Sequence, residues 1–441
     1  MVITSVTDSQ TARGTIRTEL DSIVAASPGA WTREDTVWNS TLGYPGAATL
    51  HGQRLYLGGS SSYPQTVWGS GIGRYLDFEL GTDDDDAMSF TISSDQINPI
   101  VHLAQIKALM ALTYGGEFTL LGGVEKPITP TNIQIKSSDV RGCNSVRPVR
   151  VGSELLFVQR SNRRVFSVTY DPDSYTAYAA TDISVLSEHI TAGGLTDAAY
   201  QQDPDSLVWF VRGDGLLLSL TLDRAQDVIC WTRHTTDGLF ESVASIPGKN
   251  GDEVYAVVAR EVNGATVRYV ERLENGLNTD AATTGTSDDG ADTWAGLAHL
   301  EGKTVDIVAD GAVQEKQVVT DGQITLSRPA HAVEIGLHYD STIVTLTPEV
   351  STGEGTAQGT AMSISKITLR FLETTGATLN GDVVAFRQFG DDILDAPAPL
   401  FTGDHVMEVI GWDNAELTIQ QTQPLPFHLL AVITTFTTNG G

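Results

Sequence analysis

Apolar residues in this chain come as pairs of short runs separated by a polar turn. Five such pairs stand out: "RLYLGGSSSYPQTVWGSG" from Arg54, "ALMALTYGGEFTLLGG" from Ala108, "ELLFVQRSNRRVFSVTYD" from Glu154, "SLVWFVRGDGLLLSLTLD" from Ser206 and "EVYAVVAREVNGATVRYVERL" from Glu253. Their starts lie 54, 46, 52 and 47 residues apart. The runs are rich in Val, Leu, Phe, Tyr and Trp and lack the three-and-four spacing of helical solenoids, so each pair predicts a β-hairpin. The turns usually contain Gly, which supplies the positive φ that a tight hairpin needs.

Most hairpins carry a weaker apolar segment on either side. For the fourth unit these are "LTDAAYQQ" from Leu195 and "DVICWTRH" from Asp227. Four strands in about 50 residues is the signature of propeller blades. The expectation is an all-β chain with a β-propeller over residues 41–273, of five blades, or of six if "TVWNSTLGYPG" and "NIQIKSSDV" complete another. Ahead of it, residues 1–40 form an extension with one short helix in "QTARGTIRTELDSIVAA", where Ile16, Leu20, Ile23 and Val24 share a face and Asp8 or Ser9 can cap.

After Leu273 the texture changes. "ENGLNTDAATTGTSDDGADT" has almost nothing to bury and reads as a linker over residues 274–296. Beyond it, hairpins turning at Asp310-Gly311 and Asp321-Gly322, then "HAVEIGLHY", "SISKITLRFL" and "AELTIQQ", predict a C-terminal β domain over 297–441, sandwich-like or barrel-like.

Charge narrows the partners. The 27 Lys and Arg stand against 55 Asp and Glu, a formal −28, so the surface as a whole repels phosphate backbones. Residues 274–354 hold only Lys303, Lys316 and Arg328 against 14 acids. Conversely, Arg141, Arg147, Arg150, Arg160, Arg163 and Arg164 cluster with one acid, Glu154, and form either solvated turns or a docking patch for an acidic partner. Cys143 and Cys230, the only cysteines, fit assembly in a reducing compartment. No basic start precedes an apolar block, and "FHLLAVI" is far short of a membrane span, so a soluble chain without a signal peptide or membrane insertion is expected.

No strong catalytic signature is present, and no cofactor or metal is expected. In "WGSGIGR" position 68 is Trp where a nucleophile elbow around Ser70 needs Gly. His189 in "LSEHITAGG" is a lone histidine. Asp83, Asp84, Asp85 and Asp86 are consecutive and cannot all face one ion, so they read as a solvated acidic loop. "SDDGADTW" at Ser287–Trp294 nearly matches the SxDxGxTW box of sialidase-type propellers, but its Gly position is Ala291. That near-match sustains an alternative reading: a propeller that binds or cleaves a bacterial surface glycan. Arg212-Gly213-Asp214, an adhesion tripeptide in other settings, falls where sibling units place their turns.

The ordered succession of "WNSTLGYPGAATLHGQRLYLGGS", "VWGSGIGRYLDF", "DDDDAMSFTISSDQINPIVHLAQIKALMALTYGGEFTL", the fourth and fifth hairpins, "GLAHLEGKTVDIVADG" and "IQQTQPLPFHLLAVI" resembles the tail nozzle proteins of short-tailed bacteriophages, also called tail tubular protein B. The resemblance spans roughly residues 31–435. It implies a non-enzymatic virion protein, assembled in the host cytoplasm, with a propeller beside β-rich platform domains. Six copies would form a ring that continues the tail tube, meets the tail adaptor protein and the tail fibres or spikes, and conducts DNA in transit. The matching residues Gly43, Pro45, Arg54, Leu55, Trp68, Glu117, Trp209, Gly215, Trp231, Arg260 and Glu271 look like blade framework. An acidic lumen would keep DNA hydrated and mobile, which makes Asp83 to Asp86 lumen candidates. Only about 40 residues precede the first blade, where larger members of the family have a substantial N-terminal β region.

Overall fold

The computed structural model describes residues 2–8, 11–15, 37–123, 126–171, 178–349, 351–352, 355–356, 362–387, 397–408 and 416–438. Strands dominate, and the α-helix among these residues is a single turn, Glu188–Thr191. The chain opens with a hairpin of β1 (Val2–Asp8) and β2 (Thr11–Thr15). The helix expected from residue 10 is therefore a strand as far as Thr15, and its remainder lies outside the described residues. Antiparallel pairing with Val2–Asp8 holds Thr11–Thr15 extended.

Five antiparallel meanders follow. The first blade is β3 (Ala47–His51), β4 (Arg54–Gly58), β5 (Thr66–Gly69) and β6 (Met88–Thr91). The second is β7 (Ile100–Gln105), β8 (Leu109–Thr113), β9 (Glu117–Leu121) and β10 (Gln134–Asp139). The third is β11 (Val149–Val151), β12 (Glu154–Val158), β13 (Val165–Tyr170) and β14 (Tyr178–Asp182). The fourth is β15 (Leu195–Gln201), β16 (Leu207–Arg212), β17 (Leu217–Asp223) and β18 (Val228–His234). The fifth has three strands, β19 (Leu239–Gly248), β20 (Gly251–Val262) and β21 (Ala265–Arg272). Strand order within each sheet follows chain order, as in propeller blades. All five predicted hairpins are the second and third strands of a blade. The segment "NIQIKSSDV" is not part of a sixth blade, because Gln134–Asp139 closes the second by pairing with β9.

The near-continuous apolar runs have a simple cause. Each inner blade is sandwiched between neighbours, so both faces of its strands are buried and alternate side chains enter different cores. Met110 and Leu112 pack with Phe157 of the third blade, whereas Leu109 and Ala111 pack with Tyr56 of the first. Leu155 and Phe157 face the second blade, and Leu156 and Val158 face the fourth. Val208 and Phe210 then face the third, while Trp209 and Val211 meet Val243 and Val254 of the fifth.

A repeated hydrogen bond joins the blades. The carbonyls of Pro64, Thr113, Asn162 and Gly215, each at the turn between second and third strands, accept the N–H of Ile100, Cys143, Leu195 and Phe240 on the way into the next blade, at 2.9, 2.8, 2.7 and 2.9 Å. Gly215 sits at φ +86 with Leu239 against it, so a Cβ there would meet the Leu239 side chain at 2.5 Å.

The terminal blades are different. Blades one and five each bury one face in a shared core, and no core cluster or hydrogen bond among the described residues joins one to the other. Leu50 on the first is 58% exposed, and Leu239, Ile246 and Val270 on the fifth are 55%, 49% and 73% exposed.

The expected linker is a correction. Residues 280–295 form the longest strand, β22 (Asp280–Ala295), in a sheet with β23 (Thr304–Ala309), β24 (Ala312–Val313), β25 (Gln317–Val318) and β26 (Gln323–Leu337). One face of β22 is largely solvated, so pairing with β26 holds it extended without an apolar run, and Trp294 anchors it in the core. Asp310-Gly311 and Asp321-Gly322 turn as expected, all four residues at positive φ.

Beyond this sheet lie β27 (Ser341–Val344), β28 (Ser351–Thr352), β29 (Gly355–Thr356), β30 (Met362–Thr374), β31 (Thr378–Leu379), β32 (Asp382–Val383), β33 (Phe401–Glu408), β34 (Thr418–Gln421) and β35 (Leu429–Thr438). Sheets β33-β30-β35 and β27-β34-β31-β32 enclose a second core around Ile367, Leu369, Phe371 and Ile419. The C-terminal region thus has two cores, the second a sandwich.

Candidate functional site

Blade topology sorts the charged candidates onto two ends. Turns between first and second, and between third and fourth strands, lie at one end. Turns between second and third strands, and the connections between blades, lie at the other. Asp83 to Asp86 occupy the β5–β6 loop at the first end, and Asp83, Asp84 and Asp85 are exposed while Asp86 is half-buried. Arg141 and Arg147 precede β11, and Arg160, Arg163 and Arg164 lie in the β12–β13 turn, so these five share the second end. Arg150, within β11, leans the other way and donates to the Gly152 carbonyl at 3.0 Å.

The acidic loop is built around a buried cation. Arg54, 1% exposed, donates to the carbonyls of Ser70, Asp86 and Asp84 at 2.6, 2.5 and 2.5 Å. The loop backbone therefore points inward and its carboxylates outward. Arg74 lies 3.3 Å from Asp77, 3.6 Å from Asp86 and 3.9 Å from Asp85. Burial pulls the Arg54 pKa down, and the charges of Asp85 and Asp86 are among the effects that oppose it. Asp85 and Asp86 thus serve the framework as counter-charge to Arg54, a role the sequence did not reveal because the partners are some 30 residues apart.

Within the arginine cluster, Arg141 is tied to Asp139 at 2.7 Å and lies over the Phe166 ring at 4.5 Å. Arg164 holds Asp182 at 3.0 Å and also Glu188. Arg147, Arg160 and Arg163 are exposed, with no carboxylate partner among the described residues. They are the part of the patch available for an acidic surface.

Arg212 is not presented to a partner. Its Nε and Nη2 grip both Asp214 oxygens at 2.7 and 2.6 Å, and its Nη1 donates to the Ile190 carbonyl at 2.6 Å. The Arg-Gly-Asp turn is internally closed. Ser70 is fully buried, accepts the Leu55 N–H at 3.0 Å and donates to the Gly71 carbonyl, so it is framework. In Ser287–Trp294, Gly290 rather than Ala291 takes the positive φ, +78, and Trp294 Nε1 donates to the Ala291 carbonyl at 3.1 Å. That stretch is a bulged strand in the C-terminal sheet, outside the blades.

Two histidine clusters escape sequence reasoning because their members are distant in the chain. Ser219 Oγ lies 2.8 Å from His234 Nε2 beneath the fifth blade, and burial lowers the pKa of that ring. No carboxylate orients its other nitrogen among the described residues, so a Ser–His–acid relay is incomplete. His338 has Asp306 at 2.6 Å on Nδ1 and Asp340 at 3.1 Å on Nε2, with Lys316 2.8 Å from Asp306. Both ring nitrogens are occupied, which leaves none to activate a nucleophile. No group of three or more metal-ligating residues is arranged to hold an ion, and no helix is long and apolar enough to cross a membrane, among the described residues.

Glu117 is more buried than the array's other buried acid, Glu154. It is 1% exposed at the junction of blades two and three, where its Oε2 accepts the Arg141 N–H at 3.4 Å and its Oε1 has no partner. Burial, reinforced by the Asp139 charge, pushes its pKa up to about 7 from 4.5. The folded chain therefore holds this proton where the unfolded chain releases it. That contribution to stability is complete below about pH 4.5 and is lost as pH rises through 7. Glu117→Gln, neutral throughout, should match the parent near pH 4.5 and exceed it by about 3 kcal/mol at pH 8. Urea denaturation at both pH values checks this; a difference that does not grow with pH rejects it.

The other framework candidates are internally bonded. Trp209 donates to Gln201 at 2.9 Å, Trp231 to the Ile183 carbonyl of the previous blade at 3.0 Å, and Arg260 grips Glu271.

No family model and no curated protein matches the chain. Solved structures similar to it include the WD40 domain of SCAP from fission yeast, 10% identical, TM-score 0.32, covering 66% of this chain and 84% of that one. The β-propeller domain of Cps50 (Swd1) from Myceliophteria thermophila is 8% identical, TM-score 0.27, covering 52% and 73%. A luciferin-regenerating enzyme is 9% identical, TM-score 0.24, covering 53% and 92%. These scores carry no functional argument, and the blade assignment stands on strand order and core packing.

Proposed function

We propose that this chain is a structural subunit of a bacteriophage tail, a nozzle-type protein that assembles as a ring, most simply a hexamer, continues the tail tube and lets DNA pass during ejection. The observation that carries the reading is that the two terminal blades each keep apolar side chains open to solvent, Leu50 on the first and Ile246 and Val270 on the fifth. Blade five and blade one present different surfaces on one chain, and contacts of that head-to-tail kind generate rings when the rotation closes.

Charge supports an axial arrangement. The acidic loop at one end of the blades and the free arginines Arg147, Arg160 and Arg163 at the other give each copy a polarity suited to stacking between an adaptor and fibres or spikes. An overall −28 per copy disfavours retention of DNA, since each neutralised phosphate would add salt-dependent affinity. Within this reading Asp83 to Asp85 face the lumen or an end of the ring, the chain acts in the virion without a cofactor, and no catalysis is assigned.

Native mass spectrometry and negative-stain imaging of the purified protein test the proposal together. A closed ring of about six subunits with a central channel is expected. A monomer at micromolar concentration that fails to co-purify with virions overturns it.

A further inference from the structure

We propose that the cleft between the two C-terminal cores is a binding site for a neutral saccharide. This inference does not depend on the tail reading. The cleft encloses about 370 Å³ where the chain entering β22, the β26–β27 joint, the end of β30 and the β34–β35 connection meet. That volume lies at the lower end of the roughly 300 to 1,000 Å³ typical of small-molecule sites.

Its walls are fixed while its polar side chains are uncommitted. Glu334 accepts the Asn278 N–H at 2.6 Å and the Thr279 hydroxyl at 2.8 Å, and Thr374 Oγ1 accepts the His428 N–H at 2.9 Å. The Thr375 N–H donates to the Pro426 carbonyl at 3.1 Å. By contrast, the side chains of Asn278, Tyr339, Ser341, Glu373 and Gln423 line the cleft and make no hydrogen bond among the described residues. Amide, hydroxyl and carboxylate groups together both donate and accept, as a row of sugar hydroxyls requires.

Tyr339 and Phe427 add ring surface for the C–H face of a pyranose. No Lys or Arg lines the cleft, and its one histidine, His428, has its Nδ1 on the Leu372 carbonyl at 3.2 Å, so no permanent cation faces a phosphate or carboxylate. Glu373 is held at φ +45, a conformation that non-glycine residues adopt at a cost and that concentrates at binding sites. Its N–H donates to Thr402 Oγ1 at 3.0 Å, which fixes the strained peptide.

The experiment is binding of the full chain to a printed array of neutral and acidic bacterial-surface and plant glycans, followed by calorimetric titration of the best neutral hit. Neutral glycans should be retained and sialylated or phosphorylated ones excluded. Phe427→Ala and Glu373→Gly should each weaken binding at least about tenfold. Glu373→Gly removes the left-handed strain, so its melting temperature should hold or rise while binding falls, which separates a lost ligand contact from a lost fold. Asp83→Asn, on the distant acidic loop, should bind like the parent. Retention of no neutral glycan, preference for acidic ones, or unchanged binding in both cleft variants overturns the proposal.

Discussion

Replacing Arg260 with methionine should destabilise the chain by about 3–5 kcal/mol, the largest effect expected of any single substitution in the propeller. Arg260 is 3% exposed, and its guanidinium donates to Glu271 at 2.5 and 2.7 Å, to the Asp237 carbonyl at 3.0 Å and to Asp280 at 3.4 Å. Glu271 belongs to the fifth blade, whereas Asp280 opens β22 of the C-terminal sheet. Without the cation these two carboxylates face each other across the joint, with only Thr236 left to donate to Asp280, at 2.5 Å. Loss should therefore fall on the joint as well as on the blade. Lys303 on the C-terminal side, 2.6 Å from Asp237 but half-exposed, makes a weaker second tie. The check is denaturation monitored by tryptophan fluorescence together with limited proteolysis between residues 273 and 280. A variant that unfolds at the parent's midpoint, with no new cleavage there, contradicts the assignment.

The second large effect is expected at Arg54. Arg54→Met keeps the volume of the side chain but leaves the Ser70, Asp84 and Asp86 carbonyls without their donor, two of them in a loop dense with negative charge. Each buried carbonyl left unpaired costs about 1–3 kcal/mol, and relaxation of the loop into water should hold the total near 3 kcal/mol. The loop itself should detach, so protease cleavage between Gly81 and Ala87 should appear under native conditions. Asp85→Asn combined with Asp86→Asn tests the converse. Removing the counter-charges should lower stability by less than the arginine change, even though the double variant reduces the acidic crowding. If neutralising the pair stabilises the chain instead, the aspartates are not serving Arg54.

The blades were legible because sandwiched strands write themselves as unbroken apolar runs, and the turns because Asn263-Gly264, Asp310-Gly311 and Asp321-Gly322 have the residues that positive φ demands. β22 was not, since Thr, Asp and Gly at its exposed positions look like loop composition, and what holds it extended is a ladder to β26 some 40 residues later. The same limit applied to the acidic loop. Four aspartates in a row announce charge, but nothing local says that the Asp84 and Asp86 carbonyls converge on Arg54. The cleft proposed for a saccharide was illegible for a further reason: Asn278, Tyr339, Glu373 and Phe427 come from four separate segments, each unremarkable alone. Arg212-Gly213-Asp214 erred in the opposite direction, as a familiar string whose charges are satisfied within its own turn.

The hydrogen bond that passes from one turn to the next entry strand makes the array a linear chain of nearest-neighbour couplings. Each inner blade is stabilised by the two beside it, and the fifth also by the C-terminal sheet through Arg260 and Lys303, so cooperativity is short-ranged. The third blade, deepest in the series, should be the last to open, while the first, with a blade on one side only, frays soonest. Closure into a ring would supply each terminal blade with the blade neighbour it lacks, and folding of the outer blades would become coupled to assembly. In such a ring a subunit of this design would stay pliable until its neighbours arrive and stiffen only as the ring completes.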